Sequence, residues 1–190
     1  MSKNIILCGV GGQGTVLASK ILSASSMERG IKVMSAETIG MSQRGGSVTS
    51  YVKIGDDAYT PLIGKGEADI IIGFEAGETV RMLPYLKEGG TVIVNSHVIK
   101  PTTATLSDMN YTADEMLDYL RSKVQNVKAV DGEEISERLG SQKVLNMVLL
   151  GAAISTGVLD ITIDDAVRIM SGLVKEKFIK MNEMALRATT

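Results

Sequence analysis

A short apolar run, Ile5-Ile6-Leu7-Cys8, leads without a break into Gly9-Val10-Gly11-Gly12-Gln13-Gly14, and a stretch with one apolar face begins at Thr15. A buried strand, a glycine turn and a helix in that order form the opening of a strand-helix-strand unit. Residues 4–8 read as the strand and 9–14 as the loop. Residues 15–29 read as the helix, with Val16, Leu17, Lys20, Ile21 and Leu22 on one face, and Gly30 stops it. Residues 31–36 form a second strand, so the crossover helix predicts a parallel sheet. A polar segment, 37–46, follows, and then a strand over 47–54 in which Val48, Ser50, Val52 and Ile54 share a face.

The alternation continues with strands at 69–74 and 91–95 around a helix at 76–86 that ends near Gly89-Gly90, and with helices at 114–123 and 132–139 around a strand at 127–130. Beyond that point the pattern predicts only helices, at 141–156, 162–174 and 176–188. No linker, low-complexity tract or internal repeat divides the chain. The expectation is a single α/β domain over 1–190: a Rossmann-like, three-layer arrangement with a mostly parallel sheet, helices on both faces and a helical C-terminal third.

Composition narrows the function. At 190 residues with 44% hydrophobic and 22% charged side chains, the chain has the make-up of one folded domain. A net charge of −2 and the lack of a Lys/Arg stripe argue against nucleic acid as a partner. The apolar stretch at 5–7 is too short for a signal segment, and no apolar run approaches the roughly 18 residues of a membrane span, so the expectation is a cytoplasmic protein without a membrane partner. Cys8 is the lone cysteine, so neither a disulfide nor a thiolate-held cluster can be assembled within these residues. Eleven methionines read first as adaptable core filling.

Two segments carry candidate chemistry. The Gly9-Val10-Gly11-Gly12-Gln13-Gly14 loop allows close backbone approach, and the helix start at Thr15 offers N–H groups and about half a positive charge to an anion. Gly9, Gly11, Gly12, Gln13, Gly14 and Thr15 are therefore the candidate cofactor-binding set. Three readings stay open: a structural turn, a nicotinamide or flavin dinucleotide site, or contact with another phosphate-bearing ligand or partner. The dinucleotide reading wants an acid at the end of the second strand to grip a ribose, and Glu37 is the candidate. The second segment is Ser42-Gln43-Arg44-Gly45-Gly46-Ser47. Its glycines let the chain turn sharply around a guanidinium that can hold a carboxylate or phosphate in a two-pronged grip, the alternative being a solvated loop. His97, the sole histidine, and Glu75 both stand just past strand ends on the ligand-binding side of such a sheet. Either could have a purely structural role, for Glu75 as a carboxylate at a helix N-terminus.

Taken together, the Gly-Val-Gly-Gly-Gln-Gly loop and the later Glu37-Thr38-Ile39-Gly40-Met41-Ser42-Gln43-Arg44-Gly45-Gly46-Ser47-Val48 stretch resemble the gamma-type subunit or domain of the 2-oxoacid:ferredoxin oxidoreductases. The Met-Ser-Gln-Arg-Gly-Gly-Ser-Val wording points to the indolepyruvate branch, where the matching chain is the beta subunit. The likeness is densest over 1–55. It implies a share in oxidative decarboxylation of an aryl 2-oxoacid with coenzyme A, giving an acyl-CoA, carbon dioxide and reduced ferredoxin. It also implies a large (alpha) partner subunit that carries thiamine diphosphate and iron-sulfur clusters, with ferredoxin met only indirectly. On that likeness Ser42, Gln43, Arg44, Gly45, Gly46 and Ser47 would face coenzyme A, the oxoacid or the partner. No residue is expected to be catalytic by itself, and none to bind metal.

Overall fold

The computed structural model describes residues 2–38, 46–100 and 111–189. Its frame is a six-stranded sheet in the order β2-β3-β1-β4-β5-β6. The strands are β1 (Lys3–Val10), β2 (Val33–Thr38), β3 (Ser47–Ile54), β4 (Ala68–Gly73), β5 (Leu86–Asn95) and β6 (Asn126–Val130). In β1, Ile5 and Leu7 enter one apolar cluster, Ile6 and Cys8 the other, and all four are fully buried. Successive strand residues face opposite sides, so an unbroken apolar run requires a sheet covered on both faces.

The helices supply that cover. Helix α1 (Thr15–Glu28), helix α5 (Leu145–Ile154), helix α6 (Ile163–Leu173) and helix α7 (Glu176–Arg187) contribute Ile21, Leu22, Leu150, Met170 and Leu186 to the cluster around Ile5, Leu7, Ile70 and Ile72. Ile135 of helix α4 (Gly132–Arg138) packs against the same cluster. Helix α2 (Ala76–Met82) and helix α3 (Ala113–Lys123) close the opposite face with Ala76, Met82, Leu117 and Leu120 against Ile6, Ile71, Val92 and Val94. Every residue of α5 is buried. A Cβ at Gly151 would collide with the Leu186 carbonyl, so the α5-α7 crossing depends on that glycine.

The sheet corrects one expectation. β1 and β2 are not parallel neighbours. β3 lies between them, antiparallel to both, with Val10 opposite Ser47 and Thr38 opposite Thr49. The chain reverses between β2 and β3, and the α1 crossover carries β2 two strand positions from β1, leaving the slot that β3 fills. Five strands still point the same way, because β1, β4, β5 and β6 pair in parallel and β2 shares their direction. Boundaries also differ: the strand expected at 31–36 runs over Val33–Thr38, and the one expected at 91–95 over Leu86–Asn95. The helix expected to reach residue 86 ends at Met82, because Leu83–Tyr85 is a 3₁₀ turn containing Pro84, and Leu86 already pairs with Ala68. The helix expected from 141 opens as a 3₁₀ turn, Gln142–Val144, ahead of α5.

Among the described residues no helix is long and apolar enough to cross a membrane. One edge of the sheet gathers the carboxyl ends of β1, β2, β4, β5 and β6 with the start of the reversed β3. In open α/β sheets that edge is where ligands bind.

Candidate functional site

The glycine loop sits at this edge and is held from within. Gln13 Oε1 accepts from the Val10 N–H at 2.7 Å, and Gln13 Nε2 donates to the Phe74 carbonyl at 2.8 Å, so one carboxamide ties the end of β1 to the end of β4. The Gln13 N–H donates to the Val10 carbonyl at 3.2 Å and the Gly11 N–H to the Gly46 carbonyl at 2.8 Å. A Cβ at Gly9 would stand 2.7 Å from that of Phe74, which explains the first glycine as a packing requirement. Gly14 begins α1 with φ 83°, and a Cβ there would fall 2.6 Å from Asn146 Nδ2. That nitrogen lies 3.4 Å from the Gly14 carbonyl oxygen, at the far limit of a hydrogen bond. Thr15 is buried at the helix start.

A cleft of about 480 Å³ opens beside the loop, lined by Gly12, Gln13, Gly14, Ile99, Glu133, Gln142, Lys143 and Leu145. Lys143 supplies the positive charge in that lining and is exposed on its 3₁₀ turn. Ile99, 42% exposed, presents an apolar wall. His97 Nε2 lies 3.0 Å from Glu133 Oε2, so the histidine reaches an acid of the cleft rim.

Of the second sequence segment, Gly46 and Ser47 are described: Ser47 opens β3 at the carboxyl edge, and Gly46 bonds directly to Gly11. Ser42, Gln43, Arg44 and Gly45 lie outside the described residues. Ser47 turns toward α2: its hydroxyl donates to Glu78 Oε2 at 2.6 Å and accepts from Arg81 at 3.2 Å. Glu75, 1% exposed, caps α2, with Oε2 accepting from the Glu78 N–H at 2.7 Å. Its Oε1 accepts from the Ile99 N–H at 3.2 Å and from the Tyr111 hydroxyl at 3.1 Å. Burial, reinforced by the Glu75 charge, pushes the Tyr111 phenol well above its ordinary range, so it stays a donor.

The dinucleotide reading loses its ribose grip here. Glu37 stands on β2, two strand spacings or about 10 Å from β1 rather than one. Its carboxylate accepts from Ser19 of α1 at 3.2 Å.

Residues 4–190 match the family described as pyruvate ferredoxin/flavodoxin oxidoreductase. This chain belongs to that family. Within the oxidoreductase family, it is 36% identical over 188 residues to the indolepyruvate oxidoreductase subunit IorB of Methanothermobacter thermautotrophicus, covering 98% of this chain and 95% of that one. Its fold is that of the gamma subunit of the keto/oxoacid ferredoxin oxidoreductase from Geobacter sulfurreducens, with a TM-score of 0.71, 24% identity and coverage of 98% and 95%. The 2-oxoglutarate:ferredoxin oxidoreductase of Magnetococcus marinus, solved with 2-oxoglutarate, coenzyme A and succinyl-CoA bound, shares the fold at a TM-score of 0.68 and 18% identity. There this chain is matched over 99% of its length but spans 30% of the larger chain.

The donor set of this oxidoreductase-family chain does not suit an iron-sulfur cluster. Cys8 is buried in the layer beneath α2, and burial followed by the nearby Glu78 charge pushes its thiol far up, away from the thiolate a cluster needs. Among the described residues no three His, Cys, Asp or Glu side chains converge as metal ligands. Sequence reasoning missed Asn146, Lys143, Tyr111 and Asn95. Asn95 Nδ2 donates to the Phe74 carbonyl at 3.2 Å, while its Oδ1 accepts from the Gly132 N–H at 3.2 Å. Each is a lone polar residue far along the chain from the loop it serves, and no local motif marks it.

Proposed function

We propose that this chain is the cluster-free subunit of an indolepyruvate-type (aryl 2-oxoacid):ferredoxin oxidoreductase. It supports oxidative decarboxylation of the oxoacid with coenzyme A to acyl-CoA, carbon dioxide and reduced ferredoxin. The observation that carries this reading is the 36% identity to an indolepyruvate oxidoreductase subunit, end to end in both chains. Thiamine diphosphate, which supplies the carbanion chemistry of decarboxylation, and the clusters that take the electrons belong in this reading to a large partner subunit. The assembly is cytoplasmic, and the isolated chain is inert.

This chain's own residues do holding work. The carboxyl-edge cleft is lined by Lys143, Gln142 and the glycine loop together with Glu133 and the apolar Ile99. A cation beside polar groups suits a phosphate of coenzyme A or the carboxylate of the oxoacid. Arg44, two residues ahead of Gly46 in the sequence, is the second cation of this reading for the same anion.

Affinity capture of this chain from co-expressing cells brings down a large subunit that holds thiamine diphosphate and iron-sulfur clusters, and only the pair reduces ferredoxin with indolepyruvate. A chain that purifies alone, yellow or quenching NADH fluorescence, overturns the proposal. In the assembled enzyme Arg44→Ala raises the KM for coenzyme A or the oxoacid about tenfold, the scale of one charged hydrogen bond. Unchanged kinetics remove Arg44 from this role.

A further inference from the structure

Glu75 has more partners than a helix cap needs. One oxygen caps α2, while the other, Oε1, accepts from the Ile99 N–H at 3.2 Å and the Tyr111 hydroxyl at 3.1 Å. Just beyond β5, the Ala76 N–H donates to the His97 carbonyl at 3.3 Å, so the stretch that ends at the Ile99 wall is stitched to the first residues of α2 at two points. The tyrosine is seated with equal care: a Cβ at Gly77 would collide with the Tyr111 hydroxyl, so α2 carries a glycine where that oxygen comes down. The carboxylate is 1% exposed, and water does not compete for these bonds. A cap alone would leave Oε1 without work and would place no demand on residue 77.

We propose that Glu75 is a positioning residue for the carboxyl-edge cleft. With Tyr111 as the second donor that fixes its carboxylate, it sets the height of the Ile99 wall against the Gly12–Gly14 backbone and Lys143. This rests on the reading of that cleft as the place where coenzyme A or the oxoacid is held. Ile99 is the exposed apolar face of the cleft, and its backbone N–H is the atom Glu75 grips, so a shift of the carboxylate is a shift of the wall. The two oxygens divide the work. Oε2 serves the stability of α2, Oε1 serves the cleft, and substitutions can separate them.

The test uses the co-expressed, assembled enzyme, with amide hydrogen exchange of the full chain as a second readout. Tyr111→Phe leaves the α2 cap intact but frees the carboxylate on the cleft side. It raises the KM for coenzyme A or oxoacid about three- to tenfold, with kcat within twofold and the melting temperature nearly unchanged, and it speeds exchange at residues 97–99. Glu75→Ala does all of this and lowers the melting temperature as well. Glu75→Gln, which can turn its carbonyl toward Ile99 and Tyr111 and give up the cap, recovers most of the KM while staying less heat-stable. Ile99→Ala and Lys143→Ala report on the cleft itself. If those two raise KM while Tyr111→Phe and Glu75→Ala do not, the positioning role is overturned and the cleft reading stands. If none of the four moves KM, the cleft reading falls and the proposal with it. Faster exchange at 97–99 in that case shows that Glu75 held a wall with no part in binding.

Discussion

Helix α5 and the carboxyl edge are neighbours in one domain, yet they are held by different physics. From Leu145 to Ile154 every residue of α5 is buried; its side chains share an apolar cluster with Ile21, Leu22, Ile72, Met170 and Leu186, while Asn146 reaches the Gly14 carbonyl. At the edge the contacts are directional bonds from side chains to backbone, with Gln13 on Val10 and Phe74, Asn95 on Phe74 and Gly132, and Glu75 on Glu78 and Ile99. Apolar burial has no preferred direction and scales with area, so it stabilises without fixing an atom to a fraction of an ångström. Directional bonds add less free energy each but set positions. The division implies that damage to α5 is read in stability, and damage to the edge is read in binding.

Leu150→Ala is the strongest way to break that division. The side chain is fully buried in a helix with no exposed face, so its removal costs about 2–5 kcal/mol. For a chain of this size that lowers the melting temperature by several degrees per kcal/mol lost. Thermal unfolding of the variant checks it. The KM values of whatever enzyme still assembles should match the parent, and a rise in KM would show that α5 also tunes the cleft through Asn146.

Gln13→Ala acts on the edge and has a smaller effect. It strips the Val10 N–H and the Phe74 carbonyl of their partner, costing about 1–3 kcal/mol if water does not fill the space. Because it unties β1 from β4 beside the cleft, substrate KM should rise in the assembled enzyme. A stable variant with raised KM sharpens the contrast with α5. Lost stability with unchanged KM reduces Gln13 to a structural tie.

These two residues also mark how far the sequence alone could be read. The strand, loop and helix around Gln13 were legible because apolar periodicity and glycine placement are local signals, and the buried helical tail was legible for the same reason. What Gln13 touches was not. A glutamine in a glycine loop suggests a ligand contact, and only the folded sheet brings Phe74 to its carboxamide. The insertion of β3 between β1 and β2 was hidden likewise, since a strand's own pattern carries no record of which strand lies beside it. Glu75 was half legible: its place before α2 suggested a cap, but Ile99 and Tyr111 come from 24 and 36 residues further on.

The smallest effect tests whether α6 depends on apolar burial as heavily as α5 does. At the start of α6, Thr162 and Asp165 bond reciprocally. The Thr162 hydroxyl accepts from the Asp165 N–H at 3.1 Å, and the Asp165 carboxylate accepts from the Thr162 N–H at 3.1 Å and from its hydroxyl at 2.8 Å. Those Thr162 bonds, followed by Arg168, lower the Asp165 pKa from 3.8 to about 2. A carboxyl group whose pKa falls on folding stabilises the folded state when ionised. The contribution is therefore complete above about pH 4 and disappears as pH drops through about 2. Asp165→Asn keeps an acceptor but removes the titration, so the loss of stability between pH 4 and 2 should be shallower than in the parent by about 1 kcal/mol or less. Urea unfolding at a series of pH values in that window measures the difference between the two slopes. Parallel slopes would mean that the cap contributes nothing through its charge, leaving the α6 layer as dependent on apolar burial as α5.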